Sequence, residues 1–216
     1  MAQSGCARPS IPNRNALTNL VGAARKNRGS YALGAAGELV ADSIGFEMAG
    51  SKPFTVEGWL KWNPFEGAAD EDLVTVGDAL TGNGGLRIFF DKTGASPKLR
   101  VFARGAWPCT PYVDGAFDAD FTPYLGDWVH LAIAYDPNDG EGSWTLYVEG
   151  KQVGGLVKNF YRPTSIDYSR GGDFCIGSTV HPLSAAVDMW RVSTLAYDDP
   201  KDFLYARPRG MSIRIK

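Results

Sequence analysis

Short segments of alternating hydrophobic and polar residues, each ended by a turn sequence, recur along most of this 216-residue chain. The clearest is Phe54–Trp62, in which every second residue from Phe54 onward would face the same side of an extended strand. A period of two residues is typical of a β-strand with one buried face, and no stretch shows the sustained period of a long helix. The 26 glycines and 13 prolines supply the turns that many short strands need. The pattern predicts about ten strands in an antiparallel sandwich or barrel.

The strand boundaries are predicted from the alternation and from the turn residues between segments. The predicted strands are 38–41, 54–62, 72–76, 86–90, 98–103, 128–135, 143–149, 174–177 and 187–192. A weakly amphipathic stretch, Ala16–Arg25, is interpreted as a short helix or as an edge element within a leader, 1–30. The sandwich is expected to occupy 31–205. Residues 206–216 form a tail, with an extra edge strand as one interpretation.

Charge and hydropathy exclude several classes of function. With 22 basic and 24 acidic side chains the net charge is −2, so the chain lacks the basic footprint of a nucleic-acid-binding protein. No run of eighteen apolar residues occurs, so no membrane-spanning helix is expected. The first residues lack the apolar core of a signal peptide, which leaves open an intracellular protein or a secreted one whose signal is not in this chain. A disulfide between Cys109 and Cys175 also stays open.

Four motifs follow one another in a recognisable order. They are Phe54-Thr-Val-Glu-Gly-Trp59, Trp128-Val-His-Leu-Ala132, Leu146-Tyr-Val-Glu-Gly-Lys151, and a closing set of Phe174-Cys-Ile-Gly177, Val187-Asp-Met-Trp-Arg-Val-Ser193 and Phe203-Leu204. In order and spacing, over about Tyr31–Tyr205, they resemble the laminin-G-like domains of the concanavalin A-like lectin/glucanase superfamily. The resemblance implies an all-β, two-sheet antiparallel jelly-roll sandwich, in agreement with the strand pattern. Because these motifs consist mostly of core and turn residues, they identify a fold and leave the function open.

A catalytic function is not predicted. Glucanases of this superfamily place acidic residues two apart on one strand, so that both carboxyls face one cleft. The sequence contains no such E-x-D-x-x-E pattern, and Glu57 has no acidic residue two positions away. The acidic run 70–72 beside Gly67 is predicted to be a solvated turn. Neither His130 nor His181 lies near a nucleophile motif, and His130 is expected to be a hydrogen-bonded structural residue within a strand.

The resemblance also implies a structural calcium ion at the rim of the sandwich, where oxygen ligands in a loose geometry suit that ion. Asp188 matches the aspartate of the family's closing motif. The family's early ligand position falls on Gly34–Gly37, which offers only backbone carbonyls, so Asp42 is the second candidate. A calcium ion held by Asp188 and Asp42 is one expectation, and Asp188 as a turn or salt-bridge residue is the alternative.

Aromatic residues interleaved with polar ones are concentrated in two segments without a clear strand pattern, 106–124 and 160–170. Sugar-binding sandwiches stack aromatic faces on pyranose rings and bind the hydroxyls with polar side chains. The candidate ligand-binding residues are therefore Trp107, Tyr112, Asp114, Tyr124, Tyr161, Arg162 and Tyr168. The alternative is that these aromatics hold the loops against the sheet.

The function predicted first is a non-catalytic carbohydrate-binding or adhesion module, extracellular or at the cell surface, whose partner is a glycan or glycoconjugate. A protein-interaction or assembly module of laminin-G or pentraxin type is the second interpretation, with a protein partner or a longer parent protein. A glucanase-like enzyme is the third. No nucleic-acid partner is expected.

Overall fold

The structure, a computed structural model, describes residues 18–21, 24–25, 31–33, 38–41, 52–67, 69–78, 84–104, 112–139, 142–158 and 173–203. Within these ranges lie fifteen β-strands and two short 3₁₀ helices, Thr122–Tyr124 and Pro200–Asp202. The strands are β1 (Thr18–Val21), β2 (Ala24–Arg25), β3 (Tyr31–Leu33), β4 (Glu38–Ala41), β5 (Phe54–Trp62), β6 (Asp70–Asp78), β7 (Gly84–Asp91), β8 (Lys98–Arg104), β9 (Tyr112–Phe117), β10 (Trp128–Asp136), β11 (Ser143–Val148), β12 (Lys151–Gln152), β13 (Leu156–Lys158), β14 (Phe174–Ile176) and β15 (Ala185–Ser193).

The strands form two antiparallel sheets. The eight-stranded sheet has the order β1-β4-β14-β6-β7-β8-β9-β13, and the seven-stranded sheet has the order β12-β11-β10-β5-β15-β3-β2. Strands distant in sequence pair within each sheet; β14, for example, lies between β4 and β6. The predicted two-sheet jelly-roll sandwich is confirmed.

Alternate residues of the two sheets face each other and form one hydrophobic core. On β5 the inward positions include Val56, Leu60 and Trp62, and all three are buried, as the alternation predicts. The Trp62 ring stacks on Phe90 of β7 with the ring centroids 3.9 Å apart. Because side chains alternate along a strand, the residues between these core positions point away from the core.

Trp190 occupies a space in this core that a glycine leaves open. Gly58, at an inward position of β5, lies opposite an irregularity of β15 between Asp188 and Arg191, where the register shifts. A bulge of this kind changes the face of the sheet toward which the following side chain points. The indole of Trp190 then packs so closely on Gly58 that an added Cβ would lie 2.5 Å from Trp190 Cδ2.

The outer face of the seven-stranded sheet is covered by the segment that follows β15, residues 194–203, which we name the cover segment. Phe203 packs on Tyr147 with the centroids 4.8 Å apart and also faces the His130 ring at 6.3 Å. Thr55 Oγ1 donates to the Leu195 carbonyl oxygen at 2.7 Å and accepts from the Tyr197 amide at 2.9 Å. Both faces of this sheet are therefore buried where the cover segment lies.

A buried ionic cluster lies beneath the cover segment. Glu57 has no exposed side-chain surface and faces His130 Nε2 at 3.1 Å. It accepts a hydrogen bond from Arg191 Nε at 2.7 Å and a further one from Arg191 Nη2. Arg191 Nη2 also donates to the Asp202 carbonyl oxygen at 2.5 Å. The expectation that His130 is a hydrogen-bonded residue within a strand is confirmed.

Three local expectations are corrected. Of the two interpretations of Ala16–Arg25, the short helix is wrong and the edge element is confirmed, because the strands β1 and β2 within it lie at the outer edges of the two sheets. The acidic run 70–72 begins β6, and Glu71 and Asp72 are fully buried, so it is not a solvated turn. Residues 112–117 form β9, within a segment predicted to lack strand structure.

The proposed boundaries 1–30, 31–205 and 206–216 stay a prediction. No helix in the described ranges is long and apolar enough to cross a membrane.

Candidate functional site

Outward-facing residues of β6, β7, β8 and β9 form a charged groove on the outer face of the eight-stranded sheet. Along β7 and β8 these positions alternate with core residues such as Ile88 and Val101. The groove has a volume of about 380 Å³. Its lining residues are Asp70, Arg87, Phe89, Asp91, Thr93, Arg100, Phe102 and Asp114, and we name it the β6–β9 groove.

Arg87 is fixed at one end of the groove by two carboxylates and an aromatic ring. Its Nη2 donates to Asp70 Oδ2 at 2.7 Å, its Nε donates to Asp72 Oδ1, and its guanidinium carbon lies 3.8 Å from the centroid of Phe89. Burial raises the pKa of Asp72 although the charge of Arg87 opposes this shift. A planar guanidinium group can donate hydrogen bonds to two carboxylates at once. Because Arg87 does so and also lies on the Phe89 ring, it is held in one orientation.

Arg100 joins β7, β8 and β9 at the other end. Its Nη1 donates to Asp91 Oδ2 at 2.9 Å and its Nη2 donates to Asp114 Oδ1 at 2.5 Å. Burial alone would raise the pKa of Asp91, but hydrogen bonds from Thr93 and Arg100 outweigh it, and the pKa lies below its ordinary value. Burial would likewise lower the pKa of Arg100, and the two aspartates raise it. Asp91 and Arg100 therefore stay charged near neutral pH.

The groove combines polar groups with an aromatic floor. Phe89 has 7% of its surface exposed beneath the guanidinium groups, and Phe102 on the neighbouring strand is half-buried. The side chains of Asp91, Arg100 and Asp114 remain 18, 31 and 31% exposed. A second depression of about 300 Å³ adjoins it and shares Asp91, Thr93 and Arg100 with it. A ligand could therefore contact ionised groups and ring faces together.

Of the residues that the sequence predicted to bind ligand, Asp114 lines the groove. Tyr112 lies at the first position of β9. Tyr124 is half-buried in a 3₁₀ helix, with its ring 5.9 Å from that of Phe121. The other predicted ligand-binding residues lie outside the described residues; they are Trp107, Tyr161, Arg162 and Tyr168.

Sequence reasoning missed most of the groove, including Arg87, Phe89 and Arg100. A signal was present, because charged and aromatic residues occupy alternate positions of the predicted strands 86–90 and 98–103: Arg87 and Phe89 on the first, and Lys98, Arg100 and Phe102 on the second. Outward residues of two adjacent strands share one face of a sheet, so Arg87 and Arg100 could have been placed together. The pairing of β7 with β8 and of β8 with β9 then brings Asp91 and Asp114 to Arg100.

Two acidic groups of the molecule that resemble catalytic carboxylates, Asp72 and Glu57, are fully enclosed. Asp70 and Asp72 stand two apart on β6, as catalytic carboxylates of a glucanase strand do, but both bind Arg87 and Asp72 has no exposed side-chain surface. A carboxyl group without exposed surface cannot contact a bond in a ligand. The Glu57–His130 pair is enclosed in the same way beneath Phe203.

Of the two predicted calcium ligands, Asp188 lies among the described residues. Asp188 lies on β15 opposite Trp59, and its carboxylate accepts a hydrogen bond from the backbone of Met189. Burial raises the pKa of Asp188. No group of three or more histidine, cysteine, aspartate or glutamate side chains that could hold a metal ion occurs in the described ranges. Because Asp42 lies outside those ranges, the calcium ion stays a prediction.

Solved structures similar to this chain share its fold at low sequence identity. The binding domain of botulinum neurotoxin serotype D has a TM-score of 0.55 and 10% identity, over 86% of this chain and 45% of that one. A structure of botulinum neurotoxin type C, whose cell entry depends on interaction with two ganglioside molecules, has a TM-score of 0.54 and 14% identity, over 84% and 43%. A sialidase from Trypanosoma rangeli has a TM-score of 0.54 and 14% identity, over 91% and 31%. This chain spans less than half the length of each.

The sequence itself matches a family model. No curated protein matches significantly. A laminin G model, described as belonging to the concanavalin A-like lectin/glucanases superfamily, matches residues 33–199, which is most of the chain. The match covers all four motifs up to Ser193 and spans both sheets. The chain therefore belongs to the concanavalin A-like lectin/glucanase superfamily, as its laminin-G-like motifs predicted.

Proposed function

We propose that this domain binds carbohydrate, with a glycan lying in the β6–β9 groove on the outer face of the eight-stranded sheet. One observation carries the proposal: Phe89 and Phe102 form a floor, and the paired ionic groups of Arg87 and Arg100 frame it. Ligand sites of this kind combine apolar surface with a few placed polar groups, usually in a volume of about 300–1,000 Å³.

The geometry suits the two-sided chemistry of a sugar ring. A pyranose presents C–H groups on its faces, which pack on aromatic rings, and hydroxyls around its edge, which need donors and acceptors. In the groove, Phe102 offers partly exposed ring surface while Asp91 and Asp114 offer partly exposed carboxylate oxygens. Hydrogen bonds to ionised groups are about twice as strong as those between neutral groups.

The groove is also ordered before any ligand arrives. Arg100 is held by Asp91 and Asp114, and Thr93 donates from its amide at 2.9 Å and from its hydroxyl at 2.6 Å to Asp91 Oδ1. A site whose polar side chains are already fixed loses less conformational entropy on binding. This order favours specific binding of a small polar ligand.

The comparisons support carbohydrate binding at a coarse level, because the superfamily is one of lectins and glucanases and one similar toxin interacts with gangliosides. We extend the proposal to a non-catalytic domain that acts outside the cell or at its surface. Trp107, Tyr112, Tyr161, Arg162 and Tyr168 remain candidates for further contacts with the glycan.

A glycan array probed with the purified chain, in calcium and again in chelator, tests the proposal. A glycan that binds is then titrated by calorimetry against Phe102→Ala and Asp114→Asn, and each should bind it at least about 10-fold more weakly because a stacking face or an acceptor is lost. Asp118→Asn is the matched control, since this aspartate is 75% exposed and does not line the groove. It should bind as tightly as the wild type.

Two results would refute parts of the proposal. If folded Phe102→Ala and Asp114→Asn keep full affinity, the glycan does not lie in the groove, and Trp107→Ala and Tyr161→Ala then test the two aromatic segments. If no glycan binds in either buffer, carbohydrate binding is wrong, and a protein-interaction module becomes the better account.

A further inference from the structure

The groove carries more negative than positive charge. Its network contains the carboxylates of Asp70, Asp72, Asp91 and Asp114 and the guanidinium groups of Arg87 and Arg100. With all of them ionised the network has a net charge of −2. Burial raises the pKa of Asp72, but a neutral Asp72 would still leave a net charge of −1.

The positive groups are already engaged by protein carboxylates. Arg87 uses Nε and Nη2 for Asp72 and Asp70, and Arg100 uses Nη1 and Nη2 for Asp91 and Asp114. Lys98, in the adjoining depression, faces Asp118 at 3.5 Å. Each guanidinium keeps N–H donors beyond these bonds, but an anionic ligand that approached them would lie beside the two carboxylates that the arginine already holds.

The exposed groups of the groove are chiefly acceptors. Carboxylate oxygens accept hydrogen bonds and cannot donate them when ionised. A sugar hydroxyl can donate to them, whereas a ligand carboxylate or sulfate offers only further acceptors and like charge. Like charges brought together in a partly desolvated site repel strongly because the effective dielectric constant there is low.

If the groove binds a glycan as proposed above, these contacts point to the class of glycan that it binds. We infer that the β6–β9 groove selects uncharged sugars, which donate hydroxyl hydrogens to Asp91 and Asp114, and rejects sugars that carry a carboxylate or a sulfate. The selection is electrostatic: the site repels the wrong ligand as well as binding the right one.

Matched pairs of glycans test this inference, each pair differing by an acidic group. Suitable pairs are methyl galactoside with methyl galacturonide of the same anomeric form, lactose with lactose sulfated at one hydroxyl, and a xylo-oligosaccharide with and without a glucuronic acid branch, measured with the full chain at low salt, where charge effects are least screened. The neutral member should bind at least about 10-fold more tightly wherever either member binds.

The outcomes separate this inference from the proposed function. Equal or tighter binding of the acidic members overturns the selection of uncharged sugars and leaves carbohydrate binding intact. Binding of neither member of any pair, together with an empty array, overturns both.

A charge variant provides the second measurement. Asp114→Asn keeps the side-chain shape and removes one negative charge from the groove, so the ratio of neutral to acidic affinity should fall by at least about 3-fold. Asp139→Asn removes one negative charge from the exposed turn between β10 and β11 of the other sheet and should leave that ratio unchanged. An unchanged ratio in folded Asp114→Asn, or an equal fall in both variants, would show that the groove does not set the charge preference.

Discussion

Replacing Gly58 by alanine tests whether Trp190 packs on the glycine as the structure shows. The added Cβ would lie 2.5, 2.6 and 2.7 Å from three indole atoms of Trp190. Because carbon atoms in contact prefer about 3.5–4.0 Å, the ring would have to move by about 1 Å. Trp190 is 8% exposed and packs in the core, so such a movement disturbs its neighbours.

The expected loss of stability combines two opposing effects. Overpacking a filled core typically costs about 1–3 kcal/mol, and a displacement of this size belongs at the upper end. Alanine is better than glycine inside a strand by about 0.5–1 kcal/mol, since glycine loses more backbone entropy on folding. The net loss should be about 2 kcal/mol, which lowers the melting temperature by roughly 4–8 °C for a domain of this size.

Urea denaturation and thermal melting measure this loss. Gly155→Ala is the matched control, since a Cβ there would meet no atom within 4 Å, and its stability should change little. In a Trp190→Phe background the smaller ring leaves room, so Gly58→Ala should cost at least about 1 kcal/mol less than in the wild type. If Gly58→Ala costs as little as Gly155→Ala, or the same in both backgrounds, the packing of Trp190 on Gly58 is wrong.

Three further predictions concern charged groups. Glu57→Gln should cost about 2–3 kcal/mol in urea denaturation because Arg191, whose side chain is 31% exposed, loses the carboxylate of the fully buried Glu57, and Glu57→Gln/Arg191→Met should recover part of the loss; a cost below about 1 kcal/mol would contradict this account. Because the pKa of Asp72 is raised, its ionised form costs stability increasingly as pH rises from about 3.9 through the folded pKa. Asp72→Asn should therefore gain stability relative to the wild type as pH rises from about 3.9 through the folded pKa of Asp72, and a constant difference would refute the shift. If Asp188 binds calcium, the ion should raise the melting temperature of the wild type and not of Asp188→Asn; equal melting in calcium and chelator would contradict the predicted site.

The local pattern predicted the inward face of the sandwich well because it depends on near neighbours in sequence. The alternation of β5 identified Val56, Leu60 and Trp62 as core residues, and they are buried. It did not show that Thr55 and Glu57 on the other face are also buried. The residues that cover them, including Tyr197 and Phe203, lie about 140 residues further along the chain. The alternation within β5 therefore does not predict this burial.

The groove was harder to predict because tertiary contacts, which the local sequence does not show, determine where its polar residues lie. Aspartate has a low propensity for strands, so the acidic run 70–72 was interpreted as a turn. In the structure, Arg87 pairs with both Asp70 and Asp72, while Lys92 Nζ donates to Glu71 Oε1 at 2.6 Å. These partners come from β7 and the turn after it. Only the antiparallel pairing of β6 with β7 brings them together.

The cover segment affects which strands of this domain can accept substitutions. On β5 a substitution at most positions disturbs either the core or the contacts beneath the cover segment. On β7 and β8 the two sets of alternate residues have separate roles. The outward set lines the groove and includes Arg87, Phe89, Asp91 and Arg100, while the intervening residues pack in the core. A combinatorial library confined to the partly exposed positions Asp91, Arg100 and Phe102 should therefore retain folded members with altered ligand preference, whereas Arg87 is needed as the partner of the buried Asp72. A library of equal size on β5 should yield few folded proteins.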